Sequence, residues 1–219
     1  MKTCRVVTEA VAVSFAMSLL LGGCISPGGS SERTTYYLLE FDGAAADFAG
    51  TDKTATADGA SAGGQGPRVI VRDAEVSPMF DRRQLLQRLE GPMVRYLSAD
   101  LWAVTPSVGI ASLVREGLLE SGRFGAVVRG RRPQGEFEVL TEIDALTYHC
   151  CRDEREAEAE VAGRFLLVDA RNGEEITAHS FTDRHPLEED TPRAFVEAAA
   201  AMLSAELGEF VERMPDAFE

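Results

Sequence analysis

From Glu156 to Leu167 the chain alternates. Ala157, Ala159, Val161, Gly163, Phe165 and Leu167 fall on one parity, and Glu156, Glu158, Glu160 and Arg164 on the other. Side chains two residues apart share one face of a strand, so this period reads as a half-buried β-strand. Asn172-Gly173 follows, a pair that tolerates the positive φ of a tight hairpin turn. The chain is therefore expected to return antiparallel over Glu175 to Asp183. A hairpin with one apolar face needs a covering layer, which commits the chain to a packed sheet.

Two segments can supply that layer. Thr105-Pro106 and Thr191-Pro192 each place an N-cap residue before a proline at the first helical position. After the first, Ile110, Leu113, Val114, Gly117 and Leu118 form an inward stripe as far as Glu120, and Gly122 offers the C-terminal stop. After the second, Val196, Ala200, Leu203, Leu207, Phe210, Val211 and Met214 recur at spacings of three and four. Further strands are expected at Tyr36–Phe41, Val69–Val76, Val94–Leu97, Phe124–Val128 and Phe137–Tyr148. In the last, Phe137, Val139, Thr141, Ile143 and Ala145 hold one parity, with Leu140, Leu146 and Tyr148 off it. Asp81 to Leu89 fits either a short helix or an extended segment, broken by Gly91-Pro92. The order of elements implies an α+β fold. It is a single domain in which a largely antiparallel or mixed β-sheet is packed by two main α-helices.

The first residues are of another kind. Lys2 and Arg5 precede an apolar stretch from Ala10 to Leu21. A helix of about 12 residues rises only about 18 Å, too little for a hydrocarbon core of about 30 Å. This is the size of a signal-peptide core. Leu21-Gly22-Gly23-Cys24 resembles the lipobox of bacterial lipoproteins, in which the cysteine thiol takes a diacylglyceryl group before cleavage. Residues 1–23 are thus expected to be a signal peptide and Cys24 the lipidation site. Residues 24–35, rich in Ser, Gly and Pro, read as a tether, and 36–219 as the domain, with 43–67 a flexible loop. Ser26, where an Asp would mark inner-membrane retention, favours an outer-membrane lipoprotein facing the periplasm.

Asp and Glu number 36 against 22 Lys and Arg. That balance argues against nucleic-acid binding and against a general electrostatic grip on anionic lipid. Cys150 and Cys151 are adjacent, closer than an unstrained disulfide allows, and His149-Cys150-Cys151 does not aim three ligands at one metal. No metal or cofactor is expected. Nor is there a nucleophile elbow, a phosphate loop or a zinc-protease helix, and nothing pairs His149, His179 or His185 with a nucleophile. The chain therefore reads as a non-enzyme. Glu156, Glu158 and Glu160 share a strand face, either as an acidic docking surface or cation site, or as a solvated face that protects a sheet edge. Arg82 and Arg83 fit contacts to a partner or to anionic head groups, or else local ion pairs with Asp81 or Glu90.

The ordered motifs resemble one family. They are the lipobox Cys24, Tyr36-Tyr37-Leu38-Leu39, the Val69–Val76 strand before Met79-Phe80-Asp81-Arg82, and Arg88. Trp102-Ala103 before Pro106, then Leu113–Leu119 and Gly122-Arg123-Phe124, complete the set. The sequence is similar to the ABC-type transport auxiliary lipoproteins, which include the paraquat-inducible membrane-associated lipoproteins. The resemblance implies a non-catalytic component working beside an ABC permease, its ATPase and an MCE-domain protein, in a system that moves lipids or other hydrophobic molecules across the envelope. It also allows a homo-oligomer. Asp81, Arg82 and Trp102 are the candidate partner contacts, with packing the other reading of Trp102. A lipid-binding carrier and an outer-membrane assembly scaffold are the alternatives.

Overall fold

The Asn172-Gly173 turn joins strands β8 (Glu158–Asp169) and β9 (Glu175–Pro186), antiparallel from Val168 opposite Glu175 to Glu158 opposite Pro186. Gly173 takes φ +73°, which a side chain would strain. In this computed structural model, residues 33–46, 66–130, 135–150 and 156–215 are described. The signal peptide, Cys24, most of the tether, residues 47–65 of the expected loop and Cys151 lie outside them. From Thr34 onward the chain forms one unit.

Strand β7 (Phe137–His149) pairs along its whole length with β8. The two parities read in its sequence have a physical origin. The register shifts between Ile143 and Ala145, so Asp144 is an extra residue that reverses the alternation. Val139, Thr141 and Ile143 are buried before the bulge, and Leu146 and Tyr148 after it. Gly163 faces this site, where a Cβ would lie 2.2 Å from the Glu142 carbonyl oxygen.

The other edge of β7 is shared by three short strands, all parallel to it. They are β2 (Arg68–Val71) at Phe137–Val139, β3 (Glu75–Val76) at Glu142–Ile143, and β4 (Gln84–Arg88) at Tyr148–His149. Beyond β4 lie the antiparallel β5 (Val94–Trp102) and then β1 (Thr35–Tyr37), parallel to β5. Beyond β2 lies the parallel β6 (Ala126–Arg129). The sheet is therefore mixed. The segment expected as one strand over Val69–Val76 is two, and Asp81–Leu89 resolves to the extended alternative in β4.

Three helices are described: α1 (Gly43–Ala46), α2 (Pro106–Glu120) and α3 (Pro192–Glu212). Helix α2 makes the crossover that parallel β2 and β6 require. Helix α3 packs on β8 and β9 and touches α2 and α1. Phe165 of β8 meets Phe210 at 5.6 Å and Phe181 at 5.1 Å, while Phe195 lies between Tyr148 and Trp102. Each ring removed from water contributes about 2–3 kcal/mol, so this aromatic layer fixes α3 on the sheet. At Thr191 the expected cap forms, its hydroxyl accepting from Ala194 N–H at 3.2 Å. Helix α1 corrects the expectation of a flexible loop beginning at residue 43. Asp42 N–H donates to Ser204 Oγ at 2.9 Å, and a Cβ on Gly208 would reach within 2.2 Å of the Ala46 carbonyl oxygen.

The Glu stripe also needs correction. Strand β8 is internal, flanked by β7 and β9, so its glutamates guard no edge. Glu160 accepts from Arg184 of β9 at 2.7 Å and meets His149 of β7 at 2.6 Å. Burial works to raise its pKa, but the Arg184 and His149 partners together outweigh that and hold it below the usual Glu value.

Candidate docking surface

The turn between β3 and β4 carries the Asp81-Arg82-Arg83 run. Helix α2 begins beside it without the cap expected of Thr105, whose hydroxyl lies 3.1 Å from Ser107 Oγ and makes no capping bond. Asp81 Oδ1 takes that place, accepting from Ser107 N–H at 3.1 Å. No acid stands in the helix's own first turn, so Asp81 also supplies the negative charge that the N-terminal dipole favours. Its carboxylate is thereby spent inside the fold.

With Asp81 held, the two arginines project over tyrosines. The Arg82 guanidinium lies 5.1 Å from the Tyr96 ring centroid, and that of Arg83 lies 5.7 Å from Tyr36. Arg83 also donates to the carbonyls of Trp102 (3.3 Å) and Ala103 (2.8 Å). Neither expected ion pair, with Asp81 or with Glu90, is made among the described contacts; ring faces and carbonyls take their place. The Tyr96 hydroxyl donates to the Met79 carbonyl at 3.2 Å, tying turn and strand together.

Tyr36 stands opposite Leu101 and Leu101 opposite Gln84, while Leu86 stands opposite Tyr96 beyond a register shift, so the adjacent Arg82 and Arg83 are what join the two rings. Trp102, of the opposite parity to Leu101, points the other way. It is 3% exposed and meets Phe195 at 6.1 Å, so packing is the reading its geometry supports. Of the three residues singled out by sequence, Arg82 is at the surface, Asp81 positions the turn, and Trp102 backs the sheet. Tyr36, Tyr96, Met79, Met93 and Val94 were missed as surface residues. Apolar residues in short strands read as core, and the available sign was Gly91-Pro92, which sends β4 and β5 out as a hairpin whose residues 90–96 are all exposed.

A second cluster lies where β9 meets the end of α3. His179 is buried, with Nε2 2.5 Å from Glu206; Glu209 completes a group whose potential ligand atoms lie within 4.8 Å of one another. Arg213 donates to His179 Nδ1 and, at 2.9 Å, to Glu209. Nδ1 therefore accepts, and Nε2–H donates to Glu206. The cation this group can hold is already supplied by Arg213, so the arrangement acts as a polar strut between strand and helix. Tyr148, buried under α3, donates to Asp190 at 2.5 Å; burial first, then this carboxylate, push its hydroxyl pKa well up. Cys150 is half-buried at the end of β7, its N–H donating to the Arg88 carbonyl. Among the described residues no helix is long and apolar enough to cross a membrane.

Comparison with known proteins bears on this arrangement. A crystal structure of a Xanthomonas campestris protein is similar, with a TM-score of 0.57 at 15% identity, covering 68% of this chain and 85% of that one. Another, of an uncharacterised protein, gives 0.56 at 13% identity over 82% and 97%. PelC of Paraburkholderia phytofirmans, crystallised as a dodecamer, gives 0.42 at 15% identity over 66% and 86%. No curated protein matches. At these identities the first two structures show the fold alone. The family model for the ABC-type transport auxiliary lipoprotein component matches residues 51–210, a span that runs from before β2 to within the last turn of α3. The chain belongs to the ABC-type transport auxiliary lipoprotein family.

Proposed function

We propose that this protein is a non-catalytic auxiliary subunit, anchored through lipid on Cys24 to the outer membrane and facing the periplasm. There it serves an ABC-type system whose permease, ATPase and MCE-domain protein move lipids or other hydrophobic molecules across the envelope. The observation that carries the reading is the family match across most of the folded unit. The lipobox spacing before Cys24 supports the anchor. On the folded unit, Arg82, set in place by Asp81 and backed by Trp102, is the proposed contact residue.

Replacing Cys24 by Ala tests the reading in cells. The domain should fold with an unchanged circular dichroism spectrum, leave the membrane fraction and lose transport activity. Full activity from the released protein refutes the anchored role. Cross-linking followed by co-isolation should recover the MCE-domain protein, and its consistent absence refutes that partnership. The aromatic side chains filling the layer between α3 and the sheet weigh against a carrier with its cargo held there.

A further inference from the structure

Among the described residues, six of the eight exposed large apolar side chains fall in three segments: Tyr36 and Leu38, Met79, and Met93, Val94 and Tyr96. Those segments are joined to one another by Arg82 on Tyr96, Arg83 on Tyr36 and the Tyr96–Met79 hydrogen bond. Scattered apolar residues need no explanation, but a contiguous patch marks something that covers it.

Two observations say what that is. The first is charge. The chain carries a net −14, yet between Met79 and Tyr96 four arginines stand against two acids, Asp81 and Glu90. Asp81 is turned inward to cap α2. The patch is thus a locally cationic island on an acidic protein, built from tyrosine, methionine and arginine. Tyrosine and arginine have an apolar body and a polar tip, the kind that sits at a bilayer interface, and methionine adds apolar surface beside them. The second is connectivity. The chain reaches the folded unit at Arg33 and Thr34, and β1 with Tyr36 is the first element beyond. Eight residues separate Cys24 from Arg33, nine steps that span at most about 32 Å. A lipid on Cys24 therefore keeps β1, the first element after the tether, within reach of the head groups.

We propose that the Tyr36–Tyr96 face, with the Met93-Val94 hairpin tip, rests on the leaflet that holds the anchor, its arginines meeting lipid phosphates. This rests on lipidation of Cys24 and deepens the proposed function by naming what Arg82 contacts.

The test uses the full-length protein purified from membranes and reconstituted into vesicles of phosphatidylethanolamine and phosphatidylglycerol at 3:1 (about), doped with a photoactivatable phospholipid. Mass spectrometry of the peptide bearing Cys24 reads the anchor independently of the face. Cross-links should concentrate in peptides covering residues 34–40 and 79–96. Reversing charge at Arg82 and Arg95 (R82E/R95E) should lower them by about fivefold per arginine at equal lipidation. The M93S/V94S variant changes only exposed side chains and should lower cross-linking at the tip with the fold intact. If Cys24 is acylated and the cross-links spread evenly, concentrate on α3 and β9, or ignore both variants, the proposal is overturned. Capture of these peptides by a membrane protein in cells, in place of lipid, overturns it in favour of a protein partner. Absence of acylation removes the anchor reading and this proposal with it.

Discussion

Asp81 makes a quantitative claim about how this fold is assembled. Its carboxylate replaces the missing Thr105 cap by accepting from Ser107 N–H at 3.1 Å. A side-chain cap contributes about 1 kcal/mol, and a negative charge at a helix N-terminus about 0.5 kcal/mol more. Asp81→Ala should therefore cost about 1.5 kcal/mol, and Asp81→Asn, which keeps the acceptor and loses the charge, about 0.5 kcal/mol. With a urea m-value of about 2 kcal/mol/M, the unfolding midpoint falls by about 0.7 M for Ala and about 0.25 M for Asn, with m unchanged. Hydrogen exchange at Ser107 should quicken in the Ala variant and hardly in the Asn variant. Circular dichroism against urea gives the first pair of numbers, and exchange read by NMR gives the second. Equal losses for Ala and Asn would refute the hydrogen-bond contribution, and no loss for Asn beside a loss for Ala would refute the charge contribution. No loss for either would show that the cap is replaced at no cost, and that Asp81 has a task outside the fold.

Three other perturbations check other parts of the structure. Tyr148→Phe keeps the ring stack on Phe195 at 5.5 Å but removes the hydrogen bond to Asp190; it should cost about 2 kcal/mol in urea unfolding, and a loss below about 0.5 kcal/mol would speak against a charged acceptor there. Gly163→Ala forces a Cβ to within 2.2 Å of the Glu142 carbonyl oxygen and should cost about 3 kcal/mol, whereas a neutral result would mean that the bulge relaxes freely. Glu160 sets a pH dependence with a definite sign. Its folded pKa is depressed below the ordinary 4.5, so the stability it lends is complete above that value and drains away as pH falls through the lower folded pKa. The stability gap between wild type and Glu160→Gln should be constant from pH 7 to about 5.5 and narrow below about 4.5; a gap that widens on acidification reverses the assigned sign.

What the sequence revealed followed the range of the forces involved. The β8–β9 hairpin and both long helices were legible because their periods and turn residues are local. The helix stripes were narrower than the buried surface. Phe195, Ala199 and Met202 are buried too, because α3 is covered by the sheet on one side and by α1 and α2 on others. The phase change in β7 was visible as two parities, but assigning it to Asp144 required knowing that Gly163 lies opposite. Three short strands sharing one edge of β7 left no local trace, since the choice of a parallel neighbour is made by tertiary packing. The same limit hid the exposed aromatic face. Tyr96 and Val94 read as ordinary strand residues, and only their position on a hairpin beyond the core leaves them uncovered. Asp81 was singled out as a partner contact, whereas the structure turns its carboxylate to a helix terminus 26 positions away, a partner no local pattern could give.

The shortest strand bears a mechanical consequence. Any tension reaching the folded unit through Arg33 arrives first at β1, three residues held by one parallel ladder on β5 and by the Tyr37–Asp100 hydrogen bond at 3.0 Å. The next strongly buried residue along the chain is Leu39, and beyond it α1 is clamped against α3. Under a pull, β1 is thus the link that yields first. It can peel away and lengthen the leash by about 10 Å while the antiparallel β7–β8–β9 strands and both long helices stay whole. A domain tied to one body and gripping another would thereby carry a built-in strain relief, set by a ladder only three residues long.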